Sequence, residues 1–243
     1  MIAEQPSFIE PENPDQKIWR YLDFTKFVEL VSSQELFFSR SDFLGDPYEG
    51  AIPNQTFEAR KTVVNSMIEK KELLPVYRDG AGLSEMGKQN LQDMYVNCWH
   101  MNDHESAAMW KLYLKSNEGI AIQSRVKKLK ESLADSTERI FLGKINYIDY
   151  QTGSTNWGDI LSPFVHKRKS FEHEKELRAI IWEPTRKEKY GIKVKINIEI
   201  LIDGIYVCPD SPAWMCELVS TVCKKYDLKV IPSQSSLSGT PIY

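Results

Sequence analysis

Residues 95–113 read YVNCWHMNDHESAAMWKLY, and this stretch decides the fold because it joins a strand, a loop and a helix in one short unit. The run Tyr95-Val96-Asn97-Cys98-Trp99-His100 is rich in aromatic and β-branched residues, the pattern of a short strand. Asn102 then stands where a side-chain oxygen would cap the first free amides of a helix, with Glu105 three residues on to reach back. In that helix Ser106, Trp110 and Tyr113 fall on one side, Glu105, Met109 and Leu112 on the neighbouring side, and Lys111 and Lys115 turn to water. Glu105 thus sits beside apolar positions. It must be hydrogen-bonded, paired or protonated there, so it either fixes the architecture or serves a site.

Outward from this unit the chain alternates strand and helix patterns. Upstream, residues 18–22 read as a strand, Asp23 as the cap of a helix striped by Phe24, Phe27, Val28 and Val31, and residues 35–40 as a second strand. The turn Gly45-Asp46-Pro47-Tyr48-Glu49-Gly50 follows, where Pro47 holds Asp46 extended so that Asp46 and Glu49 can face one space. The alternative is that Asp46 only accepts from the amides of its own turn. Two helices over about residues 56–94 interrupt the strands and read as an insertion over one end of a sheet. Downstream, strands are expected at 119–122, 139–147, 193–198, 204–208 and 227–231. Helices striped by Val126, Leu129 and Leu133, and by Met215, Leu218, Val219 and Val222, lie between them. The expected fold is α+β: a mixed or antiparallel sheet core with flanking helices and a helical insertion. It forms one domain over residues 17–243 after an irregular lead-in at residues 1–16.

Composition narrows the function classes. A net charge of −3 offers no global attraction to nucleic acid or an anionic membrane. The sequence contains neither a run of about 18 apolar residues nor a basic-then-apolar leader, so a cytoplasmic protein without membrane attachment is expected. Cys98, Cys208, Cys216 and Cys223 lack paired zinc spacing and read as reduced core thiols. No P-loop, G-x-S-x-G elbow or G-x-G-x-x-G fingerprint is present.

The second dense cluster is residues 167–178, KRKSFEHEKELR, where extension into Ala179-Ile180-Ile181-Trp182 would carry Glu174, Glu176 and Arg178 to one face. A solvated charged turn is the alternative. With Arg20-Tyr21, the Asp46-to-Gly50 turn, the Cys98-Trp99-His100, Glu105-Ser106 and Met109-Trp110 block and residues 171–178 in view, the chain resembles a bacterial family catalogued as domain of unknown function number 2971. It is also similar, more loosely, to the ADP-ribosyltransferase superfamily: Arg20 on one strand, Ser39-Arg40-Ser41 ending another, and a late Glu174-x-Glu176 follow that superfamily's arginine, serine and glutamate order. Arg40 departs from its usual Ser-Thr-Ser triplet.

That resemblance implies an ADP-ribosyltransferase-like fold and NAD as substrate. It implies transfer to a protein or nucleic-acid acceptor, in an enzyme of toxin or phage-defence type. Glu176, Glu174 and Arg20 would then be catalytic, and Arg20, Tyr21, Ser39, Ser41, Trp99, Glu105, Trp110 and Arg178 would hold the dinucleotide, with Asp46, Glu49 and His100 as further site candidates. A metal-dependent hydrolase or nuclease built on Asp46, Glu49, Glu105, Glu174 and Glu176 is the rival enzyme. A ligand-binding regulatory module is the reading without catalysis. Arg20, Glu105, Glu176 and Arg178 are expected to meet in one cleft walled by Trp99 or Trp110, and the transferase reading fails if Arg20 and Glu176 lie on opposite surfaces.

Overall fold

The computed structural model describes residues 2–114, 116–156, 158–186, 188–239 and 242, the side chains of Asp79, Ala81 and Leu83 apart. Lys115 lies outside the described residues. In chain order the elements are β1 (Ile2–Ala3), β2 (Lys17–Asp23), α1 (Phe24–Ser33), β3 (Glu35–Arg40), α2 (Asn54–Glu69), α3 (Ala81–Asp93), β4 (Met94–Met101), α4 (Ala107–Tyr113), β5 (Gly119–Arg125) and α5 (Val126–Ser132). They continue with β6 (Ile140–Lys144), β7 (Asn146–Ile148), β8 (His166–Arg168), β9 (Glu176–Trp182), β10 (Gly191–Lys195), α6 (Ile198–Leu201), β11 (Gly204–Val207), α7 (Ala213–Lys225) and β12 (Ser233–Gln234). This is an α+β fold around a mixed ten-stranded sheet in the order β1-β6-β9-β4-β2-β5-β11-β12, with β3 on β4 and β10 on β3.

β4 sits at the centre, and its two edges differ. On one edge it pairs along its length with β9, from Met94 opposite Trp182 to His100 opposite Glu176. On the other it pairs first with β3, at Tyr95 and Val96, and then with β2, at His100 and Met101. Across residues 97–99 β2 and β3 diverge, and neither strand is registered against β4. A split sheet leaves backbone groups that something else must satisfy. Asn97 meets part of that need by donating its amide to the Phe37 carbonyl at 2.9 Å.

Burial follows from strand alternation. Tyr95 and Trp99 of β4 join Phe27, Leu36, Phe38, Ile120, Ile122, Leu177 and Val219 in the main core. Met94 and Val96, turned the other way, pack with Phe8, Phe141, Phe164 and Ile180. α4 covers the β2 and β5 end through Met109 and Trp110, against Trp19, Tyr21 and Ala121. α2 and the following turn make a small cluster of Val64, Ile68, Leu73 and Tyr77, as befits an insertion. No helix among the described residues is long and apolar enough to cross a membrane.

Several expectations shift. The helix after β4 begins at Ala107 and is capped by Ser106, whose hydroxyl accepts from the Met109 amide at 3.3 Å. Asn102 is occupied earlier, donating to the His104 carbonyl while its own carbonyl accepts from the Trp19 indole. Residues 227–231 are irregular with Ile231 fully turned to solvent, and the last strand is instead β12, parallel to β11. Leu218 is 37% exposed, so α7 is buried through Met215, Val219 and Cys223. The N-terminal lead-in contributes to the fold, because Ile2 and Ala3 pair with Ile140 and Phe141, and Phe8 stacks on Phe141.

Candidate active site

The cleft opens where β2 and β3 part. It holds about 440 Å³, within the range of small-molecule sites, and β2, β3, β4, α4 and the β8–β9 region all contribute to its lining. Arg20 enters from β2 and donates from Nη1 to the Cys98 carbonyl at 3.2 Å, filling the gap left by the split. Its guanidinium lies 5.9 Å from the Trp99 ring centre. Arginine stays charged under all ordinary conditions, yet no carboxylate among the described residues pairs with this one. Burial pulls its pKa down, and only Cys98 and Tyr113 push back. A half-buried cation without a carboxylate partner among the described residues is the feature that an anionic ligand would relieve.

The floor is a network of buried charges. Arg178 on β9, 1% exposed, donates to both carboxylate oxygens of Glu49, from Nε to Glu176 at 2.8 Å, and from Nη1 to the Phe164 carbonyl at 2.9 Å. Lys167 on β8 donates to Glu174 and, at 3.3 Å, to Glu176. Glu174 reaches this point from a 3-10 turn over Lys169–Glu174, and Lys175 takes a left-handed φ of 40° that reverses the chain into β9. Three carboxylates, Glu49, Glu174 and Glu176, thus face two cations. Burial works against the charge on Glu176, but Arg178 and Lys167 outweigh it and hold the pKa down to about 2. Burial instead pushes Glu49 up despite Arg178. Of the three carboxylates, Glu174 and Glu176 line the cleft, while Glu49 lies behind Arg178.

Tyr113 and His100 complete the walls. Burial raises the Tyr113 phenol's pKa, and the nearby charges of Glu174 and Glu176 raise it further, while the same phenol acts on Arg20. Tyr113 therefore stands between the cationic and anionic ends. His100 holds the Glu174 carbonyl through Nδ1 at 2.6 Å; a carbonyl only accepts, so Nδ1 carries the proton. Burial lowers the His100 pKa and keeps the ring neutral.

Of the expected residues, Arg20, Tyr21, Ser39, Trp99, His100, Glu174, Glu176 and Arg178 all line the cleft. Glu105 and Trp110 do not meet them there. The Glu105 carboxylate accepts from the Trp110 indole at 3.1 Å and from the Ser236 amide and hydroxyl at 3.0 Å each, so it anchors the C-terminal segment. Trp110 packs edge-on against Tyr21. Ser41 is buried with its hydroxyl on the Leu91 carbonyl, and Arg40 is clamped to Asp42. Asp46 accepts from the Tyr48 amide and from Arg168, which makes it a turn and ion-pair residue. Glu49 supports Arg178 from behind. The metal reading loses its donors to these partners, since Arg168, Arg178, Lys167 and the Ser236 segment occupy the five carboxylates it needs. The described residues contain no cluster of three His, Cys, Asp or Glu suited to an ion. Lys167, Cys98 and Tyr113 were not expected in the site; the basic run at 166–169 reads as surface, and only its single inward alternation marks Lys167.

No protein-family model matches the chain, and no curated protein matches it. The resemblance to the domain-of-unknown-function family thus rests on the motifs alone. Among solved structures the chain is similar to DarT from Thermus sp. 2.9. In complex with ADP-ribosylated single-stranded DNA that protein aligns at 7% identity and a TM-score of 0.42, covering 93% of this chain and 95% of the other. In complex with NAD+ it aligns at 9% identity and a TM-score of 0.41, covering 93% and 96%. A likeness this distant carries no argument about what the present cleft binds.

Proposed function

We propose that this chain is an NAD-dependent ADP-ribosyltransferase that modifies a macromolecule, protein or nucleic acid, in the cytoplasm, in the manner of a toxin or phage-defence enzyme. The observation that carries this reading is the polarity of one cleft: a guanidinium with no carboxylate partner among the described residues, Arg20, at one side, and at the other the carboxylates of Glu174 and Glu176, of which Glu176 is held anionic by Arg178 and Lys167. NAD has matching charges, a diphosphate and a cationic nicotinamide ring. Arg20 suits the diphosphate, because a planar guanidinium donates to two phosphate oxygens at once. Free cysteines throughout are compatible with a reducing compartment.

In the proposed reaction the bond between the nicotinamide nitrogen and ribose C1 breaks, and its electron pair leaves with nicotinamide. Positive charge builds on the ribose. Glu176, held anionic by Arg178 and Lys167, stabilises that charge as a fixed electrostatic group and cannot act as a proton donor near neutral pH. The acceptor's nucleophile then bonds to C1 and releases its proton to solvent. Trp99 and Arg20 wall the site against free rotation of the ligand.

The test is incubation of purified protein with labelled NAD and cell extract, read by mass spectrometry for nicotinamide and ADP-ribosyl adducts. Glu176→Gln should lower the rate about 100- to 1000-fold. It should also keep the fold, since it leaves two carboxylates against two cations. Magnesium-dependent cleavage of nucleic acid without nicotinamide release would instead return the hydrolase.

A further inference from the structure

The ammonium of Lys167 is itself buried, lies 4.8 Å from the Phe171 ring centre, and bridges Glu174 and Glu176 at the cleft floor. We infer that Lys167 is a positioning residue for the transfer reaction, one that acts through Glu176 by holding its carboxylate in place and countering its charge; this rests on the reading proposed above. Two observations separate it from an ordinary structural pair. Arg178 already fixes Glu176 through Nε and already serves Glu49, so the architecture of β9 has its own clamp. Lys167 instead joins the strand carboxylate to the one on the preceding turn, and both of those line the cleft.

The groups that face Glu176 come from every neighbouring element. Arg178 shares its strand, Lys167 comes from β8 and Glu49 from the turn after β3. Cys98 of β4 hydrogen-bonds it, Tyr147 of β7 accepts from its backbone amide, and Tyr113 of α4 and Glu174 lie within electrostatic reach. Of these, Lys167 and Arg178 are the cations. Removing Lys167 leaves Arg178 as the remaining cation of the cluster and takes away one of the two charges that hold Glu176 anionic, so Glu176 should take up its proton at a higher pH.

The experiment follows nicotinamide release from NAD between pH 4 and 9 in wild type, Lys167→Met and Lys167→Arg. Wild type should show a flat kcat from pH 5 to 8. Lys167→Met should lose about 10- to 100-fold in kcat at pH 7 with KM little changed, and an acid limb should enter the measured range. Lys167→Arg should restore the flat profile with part of the rate. Should Lys167→Met fail to fold, Lys167→Met with Glu174→Gln keeps the wild-type net charge of the cluster and takes its place, compared with Glu174→Gln alone. An unchanged profile, or a loss confined to KM, overturns the assignment while leaving the transferase standing. A wild-type protein that releases no nicotinamide with any extract overturns both.

Discussion

Arg20→Met separates a ligand-binding cation from a plug in a split sheet. In the folded protein the side chain contributes one hydrogen bond, to the Cys98 carbonyl at 3.2 Å, and a bond from a charged donor at that length is worth about 1.5 kcal/mol net. Against it stands the partial desolvation of a half-buried charge with no carboxylate partner, a cost that methionine of similar length removes. The two terms oppose, so the stability of the free protein should change by no more than about 1 kcal/mol, or roughly 2–4 °C in Tm for a chain of this size. Ligand affinity should respond far more. A unit charge 4 Å from a phosphate is worth about 4 kcal/mol at an effective dielectric of about 20, and hydrogen bonds to charged groups contribute about 1.5–3 kcal/mol in mutational series. We therefore expect NAD to bind about 10- to 150-fold more weakly, with Arg20→Lys intermediate because it keeps the charge and loses the fork. The assay is thermal unfolding of each variant with and without NAD at fixed salt. A drop of more than about 3 kcal/mol in the free protein, together with an undiminished NAD-induced shift, would show Arg20 to be a structural plug and refute the reasoning.

Arg178→Met should be the most damaging single substitution in the site, costing about 3–5 kcal/mol or preventing folding, because it strands Glu49 and Glu176 in the interior; urea unfolding measures it. Glu176 has a folded pKa of about 2, below its usual value of 4.5, so its contribution is present above pH 4.5 and is lost as pH falls from there towards 2. Melting curves should register roughly 3 kcal/mol of this loss in wild type and not in Glu176→Gln. Glu105→Ala should leave nicotinamide release intact while speeding amide hydrogen exchange of residues 233–238, which lose their carboxylate anchor. We also expect residues 17–243 to behave as one domain, so that limited proteolysis within 115–165 yields no two fragments that fold alone.

The strand-loop-helix at 95–113 was legible because strand alternation and a helical stripe each leave a local signature, and β2, α1, β3 and β5 were readable in the same way. The convergence of Arg20, Glu176, Arg178 and Trp99 followed from motif order and the need of charged groups in apolar runs for partners. What stayed hidden depended on tertiary pairing. Glu105 looks equally suited to a cleft or a tail, and only the Ser235-Ser236 segment, 130 residues away, decides for the tail. Lys167 stands between half-buried His166 and Arg168 and next to exposed Lys169, and its own burial comes with its bonds to Glu174 and Glu176, which no local pattern marks. The split between β2 and β3 has no sequence mark, since both strands read as ordinary and the divergence is a matter of register on β4. The short strand β12 and the irregular 227–231 segment were exchanged because an apolar alternation of five residues does not specify a neighbour.

The most direct measurement is a crystal structure of the protein with a non-hydrolysable NAD analogue. The account predicts diphosphate oxygens within hydrogen-bond distance of the Arg20 guanidinium and ribose C1 facing the Glu176 carboxylate, with Lys167 still bridging Glu174 and Glu176. An analogue seated away from the gap between β2 and β3, or a metal ion in place of Lys167 between those carboxylates, would contradict it.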